Sequence, residues 1–325
     1  MIDKLENISR SGETKLRLLI TGGGGAGMEA LMRLLSANYE VFFADADLNA
    51  RHFSMPVDRW HQIPLASDPQ FASEIGKLCQ KLRIDLLIPT VDEELLSISE
   101  ISKQVDFKVL LPPTNFLSRH LDKFTSNRFL VEAGLPAPKT VNAKGKRLNF
   151  PCILKPRSGR GSRHVSTIYS EAELQAQITI SRMSSENFIL QELIIGQEYT
   201  VMVSADGEGK LRAIVPVKVK CKRGITIEAE TAFDNQVIEA CRRIHDADPV
   251  AGCYNIQLIK DAHGSIKPFE INPRISTTAC LGYAAGVDFI SIYLGLLDYT
   301  EPLENKLLNF KDNMKLRRYW HNQIN

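Results

Sequence analysis

The chain has 325 residues with nearly balanced acids and bases and a formal net charge of +2, which excludes a single small core and gives no ground for general nucleic-acid binding, although local basic clusters can still grip phosphates. Its polar, mixed-charge start, MIDKLENISRSGETK, lacks an apolar signal core, and its longest oily stretch, 281–297, is interrupted by Asp288 and short for a membrane span. A soluble cytoplasmic protein of two or three packed units is expected, and the six cysteines, without CxxC or zinc spacing, are read as reduced and mostly buried.

An apolar run at 16–20 leads into Thr21-Gly22-Gly23-Gly24-Gly25-Ala26-Gly27, and 28–35 has helical apolar spacing. Further strands are predicted at 41–44, 84–88 and 107–111, with helices at 69–82 and 93–103. Alternating strands and helices imply a parallel, doubly wound sheet over the first third of the chain. Gly22, Gly24 and Gly27 satisfy G-x-G-x-x-G, and Asp45 stands where the ribose acid of a dinucleotide site could stand. The same glycines serve any tight turn that packs a helix on its strand, and this structural reading is preferred.

Asp122 can cap a helix running to Ala133, which puts Lys123 in its first turn, where a cation is slightly disfavoured by the helix dipole. A strand at 152–155 ends in Lys155 and runs into the glycine-rich, basic loop Pro156-Arg157-Ser158-Gly159-Arg160-Gly161-Ser162. An ammonium followed by mobile backbone amides suits a triphosphate cover, although the loop is no Walker A motif and a plain basic turn has the same composition. Residues 188–201 read as strand, short link and strand. A segment of that kind can read adenine through backbone groups, with Glu192 and Ile194 suited to that role and the Glu198 carboxylate to ribose; acids at strand ends are also common in any fold. Residues 214–222 alternate oily and basic, with Lys218, Lys220 and Lys222 expected on one face, and 231–246 is predicted helical.

The stretch YNIQLIKDAHGSIKPFEINPR, 254–274, reads as a β-hairpin turning at Asp261-Ala262-His263-Gly264. If Asp261 pairs with Gly264, Gln257 falls opposite Pro268 and Glu270 opposite Asn255. Gln257, Glu270 and Asn272 then project together, while Ile256, Leu258, Phe269 and Ile271 project the other way. One carboxylate and two amide oxygens are hard ligation suited to Mg²⁺ or Mn²⁺, and Arg274 follows on the same parity. A solvated hairpin face would look the same.

Five segments in order, TGGGGAGMEALMRLL, LDKFTSNRFLVEAGLPAPKT, PCILKPRSGRGSRHV, ILQELIIGQEYTV and IQLIKDAHGSIKPFEINPRIS, resemble the ATP-grasp superfamily, in particular one ligase unit of the carbamoyl-phosphate synthetase large subunit. The resemblance spans most of the chain. It implies an α/β protein, α+β in its C-terminal part: a Rossmann-like domain over 1–115, then a two-lobed ATP-grasp domain over 116–325 with a small mobile lid at about 136–190. By the same resemblance Lys123 and Lys155 contact nucleotide phosphates, the loop with Gly159 and Gly161 closes over them, and Gln191, Glu192 and Ile194 read adenine. Glu198 binds ribose, Gln257, Glu270 and Asn272 hold two Mg²⁺ or Mn²⁺ ions, and Arg274 contacts phosphate, with Arg274 and Lys155 as the catalytic pair. There is one ligase unit and no glutaminase-like segment, which argues against synthesis of carbamoyl phosphate itself.

The expected activity is ATP-dependent ligation, in which a carboxylate becomes an acyl phosphate that an amine or similar nucleophile attacks, with ADP formed. The expected partners are small-molecule carboxylates and amines and a second copy of the chain, with neither nucleic acid nor membrane. An NAD(P)-dependent oxidoreductase using the glycine loop and a non-catalytic ATP-binding accessory protein are the alternatives.

Overall fold

A computed structural model describes residues 15–145, 148–297 and 309–320. The chain divides into two compact units, with the break between Leu111 and Pro112.

The first unit runs β1 (Arg17–Thr21), α1 (Met28–Leu35), β2 (Glu40–Asp45), β3 (Trp60–Gln62), α2 (Phe71–Leu82), β4 (Leu86–Ile88), α3 (Leu95–Ile101) and β5 (Lys108–Val109). Its sheet is parallel, in the order β3-β2-β1-β4-β5. The near-continuous apolar runs of β1 and β2 fit a sheet covered on both faces, because Leu18, Leu19, Ile20, Phe42 and Phe43 are all buried. The expected strands and helices are found within a few residues. Strand β3 was not anticipated, since three residues carry no readable alternation.

The second unit begins with α4 (Thr114–His120) and α5 (Lys123–Glu132) and then builds two sheets. The smaller sheet has β6 (Thr140–Asn142), β7 (Cys152–Pro156), β8 (Ser166–Ile168) and β9 (Phe188–Glu192), ordered β6-β9-β7-β8, with α6 (Glu171–Ser181) between β8 and β9 in the chain. Cys152, Leu154, Ile168, Leu174, Phe188 and Leu190 form its own core. The larger sheet has β10 (Gly196–Ala205), β11 (Leu211–Arg223), β12 (Ile225–Thr231), β13 (Gly252–Asp261), β14 (Ile266–Asn272) and β15 (Lys315–Arg317). It is antiparallel, in the order β14-β13-β10-β11-β12-β15. Helix α7 (Asn235–Ala247) precedes β13, and α8 (Ala279–Ala284) and α9 (Phe289–Leu294) follow β14. Residues 225–231 are strand, so the helix expected from 231 starts only at 235, where the Asp234 carboxylate accepts from the amides of Gln236 and Val237.

Alternation decides what each face of the large sheet meets. Tyr199, Val201, Val203, Tyr254, Ile256, Leu258 and Ile271 point to one side and pack with Phe116 of α4, Leu130 of α5 and Val237, Cys241 and Ile244 of α7. The other side carries Glu198, Thr200, Asn255, Gln257, Glu270 and Asn272, as register requires, because directly opposed residues share a face. The apolar side of this sheet is the core of the second unit, and it holds the polar side in place.

Among the described residues no helix is long and apolar enough to cross a membrane. All six cysteines are free; five are buried and Cys221 is half-buried.

Candidate active site

The polar face of the large sheet is set by the β13–β14 hairpin, whose register differs from the expected one. The Gly264 amide donates to the Asp261 carbonyl at 3.0 Å, but the strand pairing of Asp261 is with Ser265: the Asp261 amide donates to the Ser265 carbonyl at 3.0 Å, and the Asp261 carboxylate accepts from the amides of His263 and Ser265. This makes the turn one residue longer and pairs Leu258 with Pro268. A β-bulge then adds Phe269 as an unopposed residue, so that Gln257 faces Glu270 and Asn255 faces Asn272. Each one-residue shift reverses the faces of everything beyond it, and two in succession restore them. Gln257, Glu270 and Asn272 therefore share a face. Phe269 does not join the oily side as expected; the bulge leaves its ring 5.2 Å from the Lys155 ammonium.

Glu270 meets cations from three elements. The Lys123 ammonium lies 3.4 Å from its carboxylate. Burial pushes the Glu270 carboxyl up, but the ammoniums of Lys123, Lys155 and Lys222 together hold it below the ordinary carboxylate range. Lys155, 4% exposed, donates to the Phe269 carbonyl at 3.2 Å. Its pKa is lowered to about 8, first by desolvation and then by Lys123 and Lys222, with Glu270 opposing. Three ammoniums meet two carboxylates here, Glu270 and the Lys222 partner Glu198, which leaves one positive charge unneutralised.

Local structure delivers these groups. The Asp122 side chain caps α5 through the amides of Phe124 and Thr125 and also binds the Arg157 guanidinium, at 3.1 Å from Nε to Oδ2. Burial raises the Asp122 carboxyl, and the bonds from Arg157 and the Phe124 amide outweigh that and lower it. The Lys123 amide donates to the Arg157 carbonyl at 2.8 Å, and its ammonium donates to the Gly159 carbonyl at 2.7 Å. The first turn of α5 and the glycine loop are thus tied together, and the unfavourable dipole position of Lys123 is offset by Glu270 and Gly159. Gly159 and Gly161 have φ of +107° and +70°, where side chains with a Cβ are strained, which accounts for glycine at both places.

The link between β9 and β10 contains Ile194. The Gln191 side chain, buried, donates to the Thr140 hydroxyl at 2.9 Å, and the Glu192 carboxylate accepts from the Lys139 amide at 3.0 Å. Gly196 is required next to this link: a Cβ there would stand 2.3 Å from the Lys260 carbonyl, so only glycine lets β10 reach β13. Glu198, two residues before Thr200, lies on the face of Gln257 because Thr200 pairs with Gln257. It forms an ion pair with Lys222 at 2.6 Å.

Two further expectations need correction. Lys218, Lys220 and Lys222 do not share a face: Lys218 stands opposite Tyr199 on the helix-covered side. Register shifts around Cys221 then break the alternation, so that Lys220 pairs with Glu230 and Lys222 with Glu198. Arg274 does not continue the parity of β14 either. The strand ends at Asn272, and Arg274 sits in the following turn, its carbonyl held by the Asn255 amide at 2.9 Å and its Nη1 donating to the Ile275 carbonyl at 3.1 Å.

Sequence reasoning missed Asn255. Fully buried, it donates to the Arg274 carbonyl and accepts from Asn272 Nδ2 at 3.3 Å, which leaves Asn272 Oδ1 to accept a hydrogen bond or ligate a cation. An asparagine two residues before Gln257 in an otherwise apolar strand was the available signal. Among the described residues no three His, Cys, Asp or Glu side chains gather as a metal site. A divalent ion would therefore rest on one carboxylate and amide oxygens, a donor set that suits Mg²⁺ or Mn²⁺ and not zinc.

The N-terminal glycine loop is built differently. The Gly24 amide donates to Asp45 Oδ2 at 3.0 Å, and Asp45 Oδ1 accepts from the Asp47 amide. A Cβ on Gly24 would stand 2.4 Å from that of Ala50, and one on Gly22 2.7 Å from Thr90 and Val91. The glycines are needed for packing, and the carboxylate that a dinucleotide ribose would use is turned into its own loop.

Residues 184–318 match a family described as ATP-grasp in the biosynthetic pathway with Ter operon. The chain is 32% identical over 122 residues to a D-alanine–D-alanine ligase of Corynebacterium aurimucosum, covering 35% of this chain and 33% of that one. It is 25% identical over 210 residues to the carbamoyl phosphate synthase large chain of Sulfurisphaera tokodaii, covering 57% and 20%. It thus spans a third or less of the length of these two relatives. A biotin carboxylase from Campylobacter jejuni, in complex with β-γ-ATP, superposes with a TM-score of 0.69 at 16% identity, covering 92% of this chain and 74% of that one.

Proposed function

We propose, on the premise that this chain belongs to the ATP-grasp superfamily, that it is an ADP-forming ligase that activates a carboxylate as an acyl phosphate for attack by an amine. The observation that carries this reading is Glu270, one mostly buried carboxylate set among Lys123, Lys155 and Lys222 on the face that also bears Gln257 and Asn272. Such a pocket has positive charge to spare for a polyphosphate and oxygen donors for its counter-ion.

Under this reading Mg²⁺ or Mn²⁺, held by Glu270 and Asn272 with Gln257 beside them, would neutralise charge that develops on the transferred phosphoryl group. Lys155 and Lys123 bind and orient the phosphates. Their ammoniums are fixed before the reaction, one by burial against Phe269 and the other by Gly159, so little reorganisation is needed as charge shifts. The loop carrying Gly159 and Gly161 excludes water from the phosphates. The link through Gln191, Glu192 and Ile194 reads adenine, Glu198 takes the ribose hydroxyls, and Arg274 contacts the phosphate that moves. An oxygen of the substrate carboxylate bonds to the γ-phosphorus as the β–γ bridging bond breaks and ADP leaves. The amine then forms the C–N bond, loses a proton, and expels phosphate from the acyl carbon. No covalent bond to the protein is required.

An L-amino acid ligase from Bacillus licheniformis shares this fold, with a TM-score of 0.64 at 15% identity. This reading also carries a cytoplasmic location, small-molecule carboxylate and amine partners, and association with a second copy of the chain. The test is release of ADP from MgATP across a panel of carboxylate and amine pairs. ADP release that needs both members of one pair supports the ligase. ATP binding without release for any pair favours an accessory protein, and binding of a nicotinamide cofactor without ATP favours the oxidoreductase.

A further inference from the structure

In the small sheet Gln191 pairs with Thr140 on one side and with Ile153 on the other, so the three side chains share a face. Lys155, two residues beyond Ile153, lies on the same face and reaches the Phe269 carbonyl of the large sheet. The opposite face, with Cys152, Leu154, Phe188 and Leu190, is the small sheet's own core. Gln191 and Thr140 therefore look into the cleft between the two sheets. The hydrogen bonds there fix an orientation. The Thr140 hydroxyl lies 3.0 Å from the Pro138 carbonyl, a group that only accepts, so its single proton goes there. The Asn127 side chain on α5 donates to the same carbonyl at 2.9 Å and holds that anchor in place. Toward Gln191, whose amide nitrogen is 2.9 Å away, Thr140 is left to accept. Gln191 must then turn Nε2 to Thr140 and present Oε1 as an acceptor. Among the described residues no other group bonds the Gln191 side chain, which leaves Oε1 to a ligand in the cleft.

We propose that Thr140 is a positioning residue for base selection. By fixing the Gln191 amide it leaves Oε1 to accept from the exocyclic amine of adenine and to repel the oxygen that a 6-oxo purine carries at the same ring position. This rests on the ligase reading for the presence of a nucleotide in the cleft, and it adds what selects the base. Without the Thr140 hydroxyl the Gln191 amide is free to turn over, and Nε2 then donates to a 6-oxo purine.

Calorimetry of the full chain with MgADP and with MgIDP compares two nucleotides that differ at the 6-position and the adjoining ring nitrogen. The unaltered chain is expected to prefer ADP. Thr140→Val keeps the β-branched shape on a short edge strand and loses only the hydroxyl. It should cut the preference by about 10-fold, weakening ADP and strengthening IDP, the scale of one hydrogen bond moved from one base to the other. Thr140→Ser keeps the hydroxyl and should keep the preference. A merely structural role for Thr140 would weaken both nucleotides together and leave their ratio as it was. That unchanged ratio in Thr140→Val, or an unaltered chain that does not prefer ADP, would overturn the proposal while leaving the ligase reading intact. Binding of neither nucleotide to the unaltered chain would overturn both.

Discussion

Gln257 stands directly opposite Glu270 across the β13–β14 hairpin, two positions from where a turn closed between Asp261 and Gly264 would put it. The displacement has two sources, a turn one residue longer and the unopposed Phe269. Together they keep both oxygen donors on one face. Glu270→Ala removes the single carboxylate there. ADP release is expected to fall by about 100-fold or more, the scale of losing one group that stabilises developing charge, with far-UV circular dichroism unchanged. An active Glu270→Ala protein would sink the mechanism.

Lys155 provides a pH signature. Its pKa in the fold is about 8 because burial disfavours the ammonium, against roughly 10.4 in an unfolded chain. Bound phosphate favours the charged form, so nucleotide binding near pH 8 should take up a proton. Affinity should weaken as pH rises through about 8. Calorimetry in buffers of different ionisation enthalpy measures this uptake, which Lys155→Met should abolish.

The same lowered pKa makes a stability statement of the opposite sign. The folded state disfavours the charge, so the cost is fully present below pH 8 and disappears as pH rises from about 8 to the unfolded value of roughly 10.4. Lys155→Met should therefore be more stable than the unaltered chain at pH 7, by on the order of 1 kcal/mol. Thermal melts at pH 7 and pH 10 check whether the difference narrows.

Asp122 joins helix and loop. Asp122→Ala removes the α5 cap and the Arg157 partner, at a cost of about 1–2 kcal/mol. With Arg157 released, Lys123 and Gly159 are less well placed. The KM for ATP should rise by more than kcat falls; an equal fall in kcat with KM unchanged would count against a positioning role.

His120 is buried between Phe116 and Phe129, with Nδ1 2.8 Å from the Ser126 hydroxyl, and desolvation followed by Arg119 lowers its pKa to about 3. The folded state holds it neutral. Its contribution is present above the unfolded value of roughly 6.5 and is lost as pH falls from there toward 3, because the unfolded chain binds the proton first. Denaturant titrations from pH 7 to pH 4 should show a shallower decline for His120→Leu than for the unaltered chain.

The glycine loop separates the ligase from the oxidoreductase. Gly24→Ala drives a Cβ into that of Ala50 and should cost about 1–3 kcal/mol by overpacking. Binding of NADH, followed by its fluorescence, should be undetectable in the unaltered chain.

Much was readable from residue order because local chemistry enforced it. The glycine loop between β1 and α1, the Asp122 cap and the strand ending at Lys155 each follow from short-range pattern. Three-residue β3 was silent for lack of length, and the start of α7 was misplaced because Thr231 continues a strand whose partner lies elsewhere in the chain. Lys222 was the harder case. Simple alternation put it with Lys218, and only the shifts in β11 separate them, as cross-strand pairing is set by packing on both neighbours.

The sequence by itself determined which atoms were available: one carboxylate, two amides and a set of lysines at spacings that a strand or a helix start would present. The tertiary structure decided which of them meet. It placed Gln257 against Glu270, brought Lys123 and Lys155 to that carboxylate from different elements, and turned Arg274 out of strand parity. The reason is physical. Side-chain identity and period are local, whereas register, bulges and the burial that moves a pKa depend on residues more than a hundred positions apart closing on one core, as Lys155 does on Phe269.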